Sequence, residues 1–204
     1  MTRVPVCEHT TTLGGTMRKT TSAAVLTAVA LIGLTPAATA RPSYPWPPAE
    51  VTPVHKTKAE LQEQADGFSE HQRQTFPSLF PDARTVTAGA WGGEAEGVFD
   101  DMQYMVNAVA ITYPDRNATV YTQVHAPGHH TDSPEQLCER ERCTGAAGDH
   151  RGGVVVFTEL DRFGIRVATN FRPNGEVVWA QGTTADAPAR LAAVAVDRAY
   201  TFTG

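Results

Sequence analysis

The chain has 204 residues, with 17 Lys and Arg against 22 Asp and Glu, a formal charge of −5. That length suits one domain plus a targeting segment. The mildly acidic balance argues against nonspecific nucleic-acid binding, which needs a basic surface to displace counterions from phosphate.

Met17-Arg18-Lys19 precedes an apolar run over residues 23–34; Pro36 breaks it, and Ala38-Thr39-Ala40 fits a small-x-small cleavage site. This pattern predicts a secretory signal peptide over residues 1–40, and the apolar run is too short to span a membrane. Residues 1–16 add nothing the signal needs, so Met17 is an alternative start. The expected location is extracellular, with no stable membrane span after cleavage and no lipid anchor, since no cysteine sits at the cleavage site. Cleavage after Ala40 removes Arg3, Arg18, Lys19 and Glu8, leaving 14 basic and 21 acidic residues and a charge of −7. Cys7 leaves with the signal. Cys138 and Cys143 remain, and an even pair in an exported protein reads as a disulfide.

Residues 41–56 carry Pro42, Pro45, Pro47, Pro48 and Pro53. This composition predicts an extended, proline-rich tether, with Tyr44 and Trp46 either swinging free or packing on the domain or a partner. A single domain is expected over residues 57–204. Thr57 and Glu60 form a capping box, and Leu61, Ala65 and Phe68 recur at helical spacing, so a helix is predicted to about Arg73. Phe76-Pro77-Ser78-Leu79-Phe80-Pro81 is expected to end it and tuck aromatics under a sheet.

Residues 85–88 read as a short strand, and residues 89–97 as a glycine-rich loop carrying Trp91. Residues 102–112 and 118–125 read as longer strands whose apolar residues occupy both faces, so both faces are expected to be partly covered. Residues 126–153 form an irregular excursion. Within it Ser133-Pro134-Glu135-Gln136 is a second capping box, predicting a short helix through about Arg142. A Cys138–Cys143 bond would close a small loop and contribute roughly 2 kcal/mol by chain entropy, pinning the excursion more than the core.

Residues 152–182 form the clearest stretch. Three runs rich in Val, Ile, Phe and Trp are separated by Asp161-Arg162-Phe163-Gly164 and Arg172-Pro173-Asn174-Gly175. This is the pattern of an antiparallel meander. A proline-led turn with a positive-φ glycine places Arg172 opposite Glu176, Phe171 opposite Val177 and Thr169 opposite Trp179. The first turn places Leu160 opposite Ile165, then Thr158 with Val167, Val156 with Thr169 and Val154 with Phe171. One face therefore collects Val154, Val156, Leu160, Ile165, Val167, Phe171, Val177 and Trp179. The other holds Glu159 opposite Arg166 and Phe157 opposite Ala168. Asp186-Ala187-Pro188 opens a last helix with a buried stripe of Leu191, Val194 and Ala195. Arg198 is expected near its C-terminal end, where a cation is favoured. Tyr200 and Phe202 suggest a short edge strand. The expected fold is α+β: an antiparallel sheet of about five or six strands with the N-terminal and C-terminal helices packed on one face.

The alanine-rich signal, the paired cysteines, the R-P-N-G turn before E-V-V-W and the closing P-A-R-L-A-A-V-A resemble a group of small secreted proteins of high-GC actinobacteria. The resemblance covers the C-terminal third of the mature chain and implies no established activity.

Candidate chemistry is sparse. His125, His129 and His130 put three imidazoles within six positions, and neutral imidazole suits zinc or copper. Their spacing matches no zinc signature, and the Pro127-Gly128 turn does not force the rings together, so an exposed polar loop is expected. Glu94, Glu96, Asp100 and Asp101 read as a solvated acidic loop, and their spacing lacks the calcium-loop pattern. G-x-S-x-G, H-E-x-x-H and S-x-x-K are all missing. No catalytic residue and no cofactor is assigned. Two functions remain: a noncatalytic secreted binding or interaction domain with an extracellular or cell-wall partner, using the sheet face, the Trp91 loop or the cysteine excursion; or a small extracellular metal-binding protein or metal-dependent hydrolase centred on residues 125–130.

Overall fold

A computed structural model describes residues 44–54, 56–93 and 103–203. The expected signal segment, the acidic loop from Glu94 to Asp101, and Met102 lie outside the described residues. In chain order the elements are α1 (Lys58–Leu79), β1 (Thr85–Ala88), β2 (Gly92–Gly93), β3 (Tyr104–Thr112), β4 (Asn117–His125), α2 (Pro134–Arg140), β5 (Arg142–Gly148), β6 (Val154–Leu160), β7 (Ile165–Phe171), β8 (Val177–Thr183) and α3 (Pro188–Ala195). Among the described residues no helix is long and apolar enough to cross a membrane.

The eight strands form one antiparallel sheet in the order β1-β3-β4-β8-β7-β6-β5, with β2 also paired to β3. The α+β class holds, but among the described residues the sheet has eight strands rather than five or six, with three α-helices. The added strands are β2, in the glycine-rich loop, and β5. The sequence of β5, Arg-Cys-Thr-Gly-Ala-Ala-Gly, carries almost none of the branched or aromatic residues that favour a pleated surface. It forms because β6 offers it a full edge, from Arg142 opposite Glu159 to Gly148 opposite Val154, with a shift between Cys143 and Gly145.

Both turns of the meander set the expected register. Leu160 faces Ile165 and Val154 faces Phe171; Thr169 faces Trp179 and Phe171 faces Val177. At the second turn the Arg172 N–H donates to the Glu176 carbonyl, the Gly175 N–H donates to the Arg172 carbonyl, and Gly175 has φ +86°. A left-handed residue at that position costs glycine least. Arg166 donates from Nε and Nη2 to Glu159 Oε1 at 2.8 and 2.6 Å across the strand pair.

The helices cover the face opposite the one the bulky residues mark. Val155, Phe157, Ala168, Val178 and Ala180 share one buried cluster with Leu61, Phe68 and Phe76 of α1 and Leu191, Val194 and Ala195 of α3. The paired small residues Ala168 and Ala180 let α3 lie against β7 and β8. The opposite face has its own smaller cluster, in which Leu137 of α2 packs with Val156, Phe171 and Val177, and Tyr44 and Trp46 lie against it.

Three further differences follow from burial outweighing local preference. Helix α1 runs on to Leu79 with Pro77 inside its last turn, because Phe76 and Phe80 are both fully buried and pack 5.6 Å apart. Tyr200 and Phe202 form no strand and are buried in the main core. Trp91 is buried between Phe68 and Tyr200, at centroid distances of 5.0 and 5.7 Å, so it is no surface loop for a partner.

Candidate functional site

The sheet face away from α1 and α3 is open over β3, β4 and β8 and is crossed elsewhere by the excursion between β4 and β5. That excursion is built to hold one position. Ser133 Oγ accepts from the Gln136 N–H and Gln136 Oε1 accepts from the Ser133 N–H, closing the capping box. Pro134 occupies the first turn of α2, where its missing N–H costs nothing. A disulfide joins Cys138 on α2 to Cys143 on β5, with Cα atoms 5.2 Å apart. Thr158 Oγ1 donates to Glu141 Oε2 at 2.6 Å, and Arg140 Nη1 pairs with Asp132 Oδ2 at 2.5 Å.

A groove of about 230 Å³ runs between this excursion and the sheet. Its wall is His130, Leu137, Arg140 and Glu141; its floor is Leu160, Val167, Thr169, Trp179 and Gln181. Past Gln181 it continues as a shallower depression of about 620 Å³ that includes Thr119, Tyr121, Ile165 and Thr183. Val167, Ile165 and Trp179 are half-buried, and the Tyr121 side is 40% exposed. An apolar floor with a few polar groups along one wall is the usual make-up of a ligand site.

The histidines do not form the expected exposed loop. His125 ends β4 on the open face, opposite Tyr104 of β3 and Val177 of β8. The chain then turns tightly, with the His129 N–H donating to the Ala126 carbonyl and the Gly128 N–H to the Gly175 carbonyl. The Trp46 indole N–H donates to the His130 carbonyl at 3.1 Å. These backbone ties stack the rings of His125 and His129 at 5.1 Å and set His130 edge-on to His125 at 5.2 Å. Tyr104 lies 5.9 Å from His125, and Phe171 lies 5.7 Å from His130. The residues 44–54 of the tether therefore dock on the domain through Trp46.

Burial, reinforced by the charges of His130 and His129, pushes the His125 imidazole down to about 3. Burial also lowers His130, opposed by Asp132. Both rings are therefore neutral at physiological pH. His129 Nδ1 donates to Gln103 Oε1 at 2.5 Å, and His125 Nε2 lies 3.0 Å from the Gln123 amide. His125 Nδ1 and His130 Nε2 are buried without a hydrogen-bond partner. No three His, Cys, Asp or Glu side chains among the described residues are placed to hold a metal ion together. Gln103 and Gln123, which steady two of the rings, were not among the sequence candidates. Gln123 could have been found from the pleat, because residues two apart on a strand share a face.

A second polar assembly lies on the helix side of the meander. Arg172 and Glu176 are both essentially inaccessible and pair at 3.1 Å. Arg172 also donates to the carbonyls of Tyr200 at 2.5 Å, Asp197 at 2.8 Å and Ala195 at 3.3 Å. Glu176 Oε1 accepts from the Phe202 and Thr203 N–H groups at 2.7 and 3.1 Å. The cation at the end of α3 is thus Arg172, whereas Arg198 pairs with the buried Asp149 carboxylate. Burial pulls the Arg172 guanidinium below its usual range, and the Glu176 charge opposes that pull. The groups of this assembly are directed at one another and at the protein's own backbone, which marks it as structural.

No protein-family model matches the chain, and neither a curated protein nor a solved structure shows significant similarity to it.

Proposed function

We propose that the chain is a secreted, noncatalytic binding domain whose partner, an extracellular or cell-wall component, lies in the groove on the open sheet face. One observation carries this reading: Trp179, Val167 and Leu160 line a groove that no core helix covers, beneath a wall held by a disulfide and two capping-box bonds. A solvent-facing apolar stretch of this kind is costly unless something covers it. The disulfide fits an oxidising compartment, and the resemblance to small secreted actinobacterial proteins belongs to the same reading. Of the three elements considered from sequence, the sheet face and the cysteine excursion build the groove, and the Trp91 loop does not. The hydrolase alternative has only His130 and Glu141 on one groove wall in its favour, and among the described residues no three His, Cys, Asp or Glu side chains are placed to hold a metal ion together.

A fragment screen by two-dimensional amide NMR tests this. Small aromatic and amphipathic fragments are expected to shift the amides of Val167, Thr169, Trp179 and Gln181 as one group. Trp179→Ala should abolish those shifts while leaving the remaining spectrum folded. Fragment shifts scattered over the surface, or unchanged in Trp179→Ala, would remove the groove from consideration.

A further inference from the structure

The histidine cluster has features that the groove does not require. Two buried imidazole nitrogens, His125 Nδ1 and His130 Nε2, have no hydrogen-bond partner, although their rings are in contact at 5.2 Å. Leaving a buried polar nitrogen unsatisfied is costly. The cluster nonetheless invests in holding these rings: the His130 carbonyl is tied to Trp46, and the far nitrogen of His125 is tied to Gln123. A metal-binding imidazole usually donates its second ring N–H to an oxygen acceptor, and the Gln123 amide beside Nε2 supplies one when it is turned to present Oε1.

We infer that His125 Nδ1 and His130 Nε2 form a two-coordinate site for cuprous ion. The coordination number selects the metal. Among the described residues no third His, Cys, Asp or Glu is placed to join them, and two ligands alone do not make the four-ligand shell that zinc takes in structural sites. Imidazole is a ligand for copper, and a monovalent ion content with two ligands suits two neutral rings. The aromatic rings of Tyr104 and Phe171 around the pair also favour one positive charge over two, since burying charge is costly. Binding at His125 Nδ1 places the ring proton on Nε2 and turns the Gln123 amide so that its Oε1 accepts that proton. Both tautomers are neutral, so no proton is released. Gln123 is a positioning residue, and His129 is not a ligand, because among the described residues the three imidazoles are not placed to hold one ion together.

The test is an anaerobic titration of the untagged full chain with cuprous ion against a chromogenic copper(I) chelator. One equivalent is expected to be withdrawn from the chelator. X-ray absorption of that complex should show two nitrogen neighbours and no sulfur. His130→Phe and His125→Phe should each weaken binding at least 100-fold, and His129→Ala should change it less than threefold. Failure of the wild-type chain to compete with the chelator would overturn the assignment. So would sulfur or additional ligands in the absorption spectrum, a reading that needs no folded variant. Undiminished binding in folded His130→Phe would overturn it too. The groove reading is unaffected by any of these results, because its NMR test uses metal-free protein.

Discussion

Replacing Arg172 by methionine removes the cation that pairs with Glu176 at 3.1 Å and keeps most of the buried volume. The Glu176 carboxylate would remain at 1% exposure, still accepting from the Phe202 and Thr203 backbone. The carbonyls of Ala195, Asp197 and Tyr200 would lose their guanidinium donor. Breaking a buried pair by removing one partner costs about 3–5 kcal/mol, mostly as the uncompensated charge. Against a typical domain stability of about 5–15 kcal/mol, that is a large fraction. In urea, with a slope of about 2 kcal/mol/M, the midpoint should fall by roughly 2 M. The double variant Arg172→Met/Glu176→Met should cost much less than the two single variants together, since it leaves no unpaired charge. Hydrogen exchange should localise the damage, with the amides of Phe202 and Thr203 losing protection in Arg172→Met before those of β7 and β8. A loss under about 1 kcal/mol, or additive single and double variants, would refute the view that this pair anchors the C-terminal segment.

Three other outcomes are expected. Gly67 lies exposed on α1, and an added Cβ would meet nothing within 4 Å, so Gly67→Ala should raise stability by about 0.5–1 kcal/mol, read from the melting temperature. His125 has a folded pKa lowered to about 3, so the unfolded chain takes up a proton first as pH falls. Metal-free protein should therefore hold its full His125 contribution above about pH 6.5 and lose about 1.4 kcal/mol per unit below it, down to about pH 3. His125→Phe should flatten this slope between pH 6.5 and 5 in urea titrations, and an unchanged slope would contradict the buried neutral ring. Cys138→Ser/Cys143→Ser should cost no more than roughly 2 kcal/mol. It should raise hydrogen exchange in α2 while leaving β7 and β8 protected; equal loss in the core would show the bond to be more than a local clamp.

Local chemistry was legible wherever adjacent residues decide the outcome. Thr57 with Glu60 and Ser133 with Gln136 both cap as their spacing implies, because the bonds are made within four residues. The meander register followed from two turns that agree on the shared strand β7, and a one-residue slip would have inverted every side chain. Helix α1 was read six residues short because Pro77 is a local signal to stop. The burial of Phe76 and Phe80 that overrides it comes from distant parts of the chain. Strand β5 was missed for the same reason, since its edge is supplied by β6 rather than by its own residues. The histidine rings were read as separate because the Pro127-Gly128 turn gave no reason for convergence. The contacts that bring them together come from Trp46, Gly175 and Phe171, each more than forty positions from His130 in sequence.

The face that the helices cover was illegible for a different reason. Alternation shows which side chains share a side, but both sides of β6 and β7 are apolar: Val155, Phe157 and Ala168 on one, Val156, Val167 and Phe171 on the other. Bulk then points the wrong way. Helix α3, itself rich in alanine, approaches β7 and β8 over Ala168, Ala180 and Gly182, where an added Cβ on Gly182 would come within 3.1 Å of Leu191. Close approach of a helix requires small residues beneath it, so the side with less apolar bulk becomes the main core. The larger residues Trp179, Val167, Ile165 and Leu160 are left on the open side, where only a short helix, a docked N-terminal segment and a histidine turn shelter them in part. A chain selected for folding alone gains nothing from that distribution, because bulky side chains stabilise most when fully buried. Their placement on the groove floor is therefore the strongest physical reason to seek a ligand there.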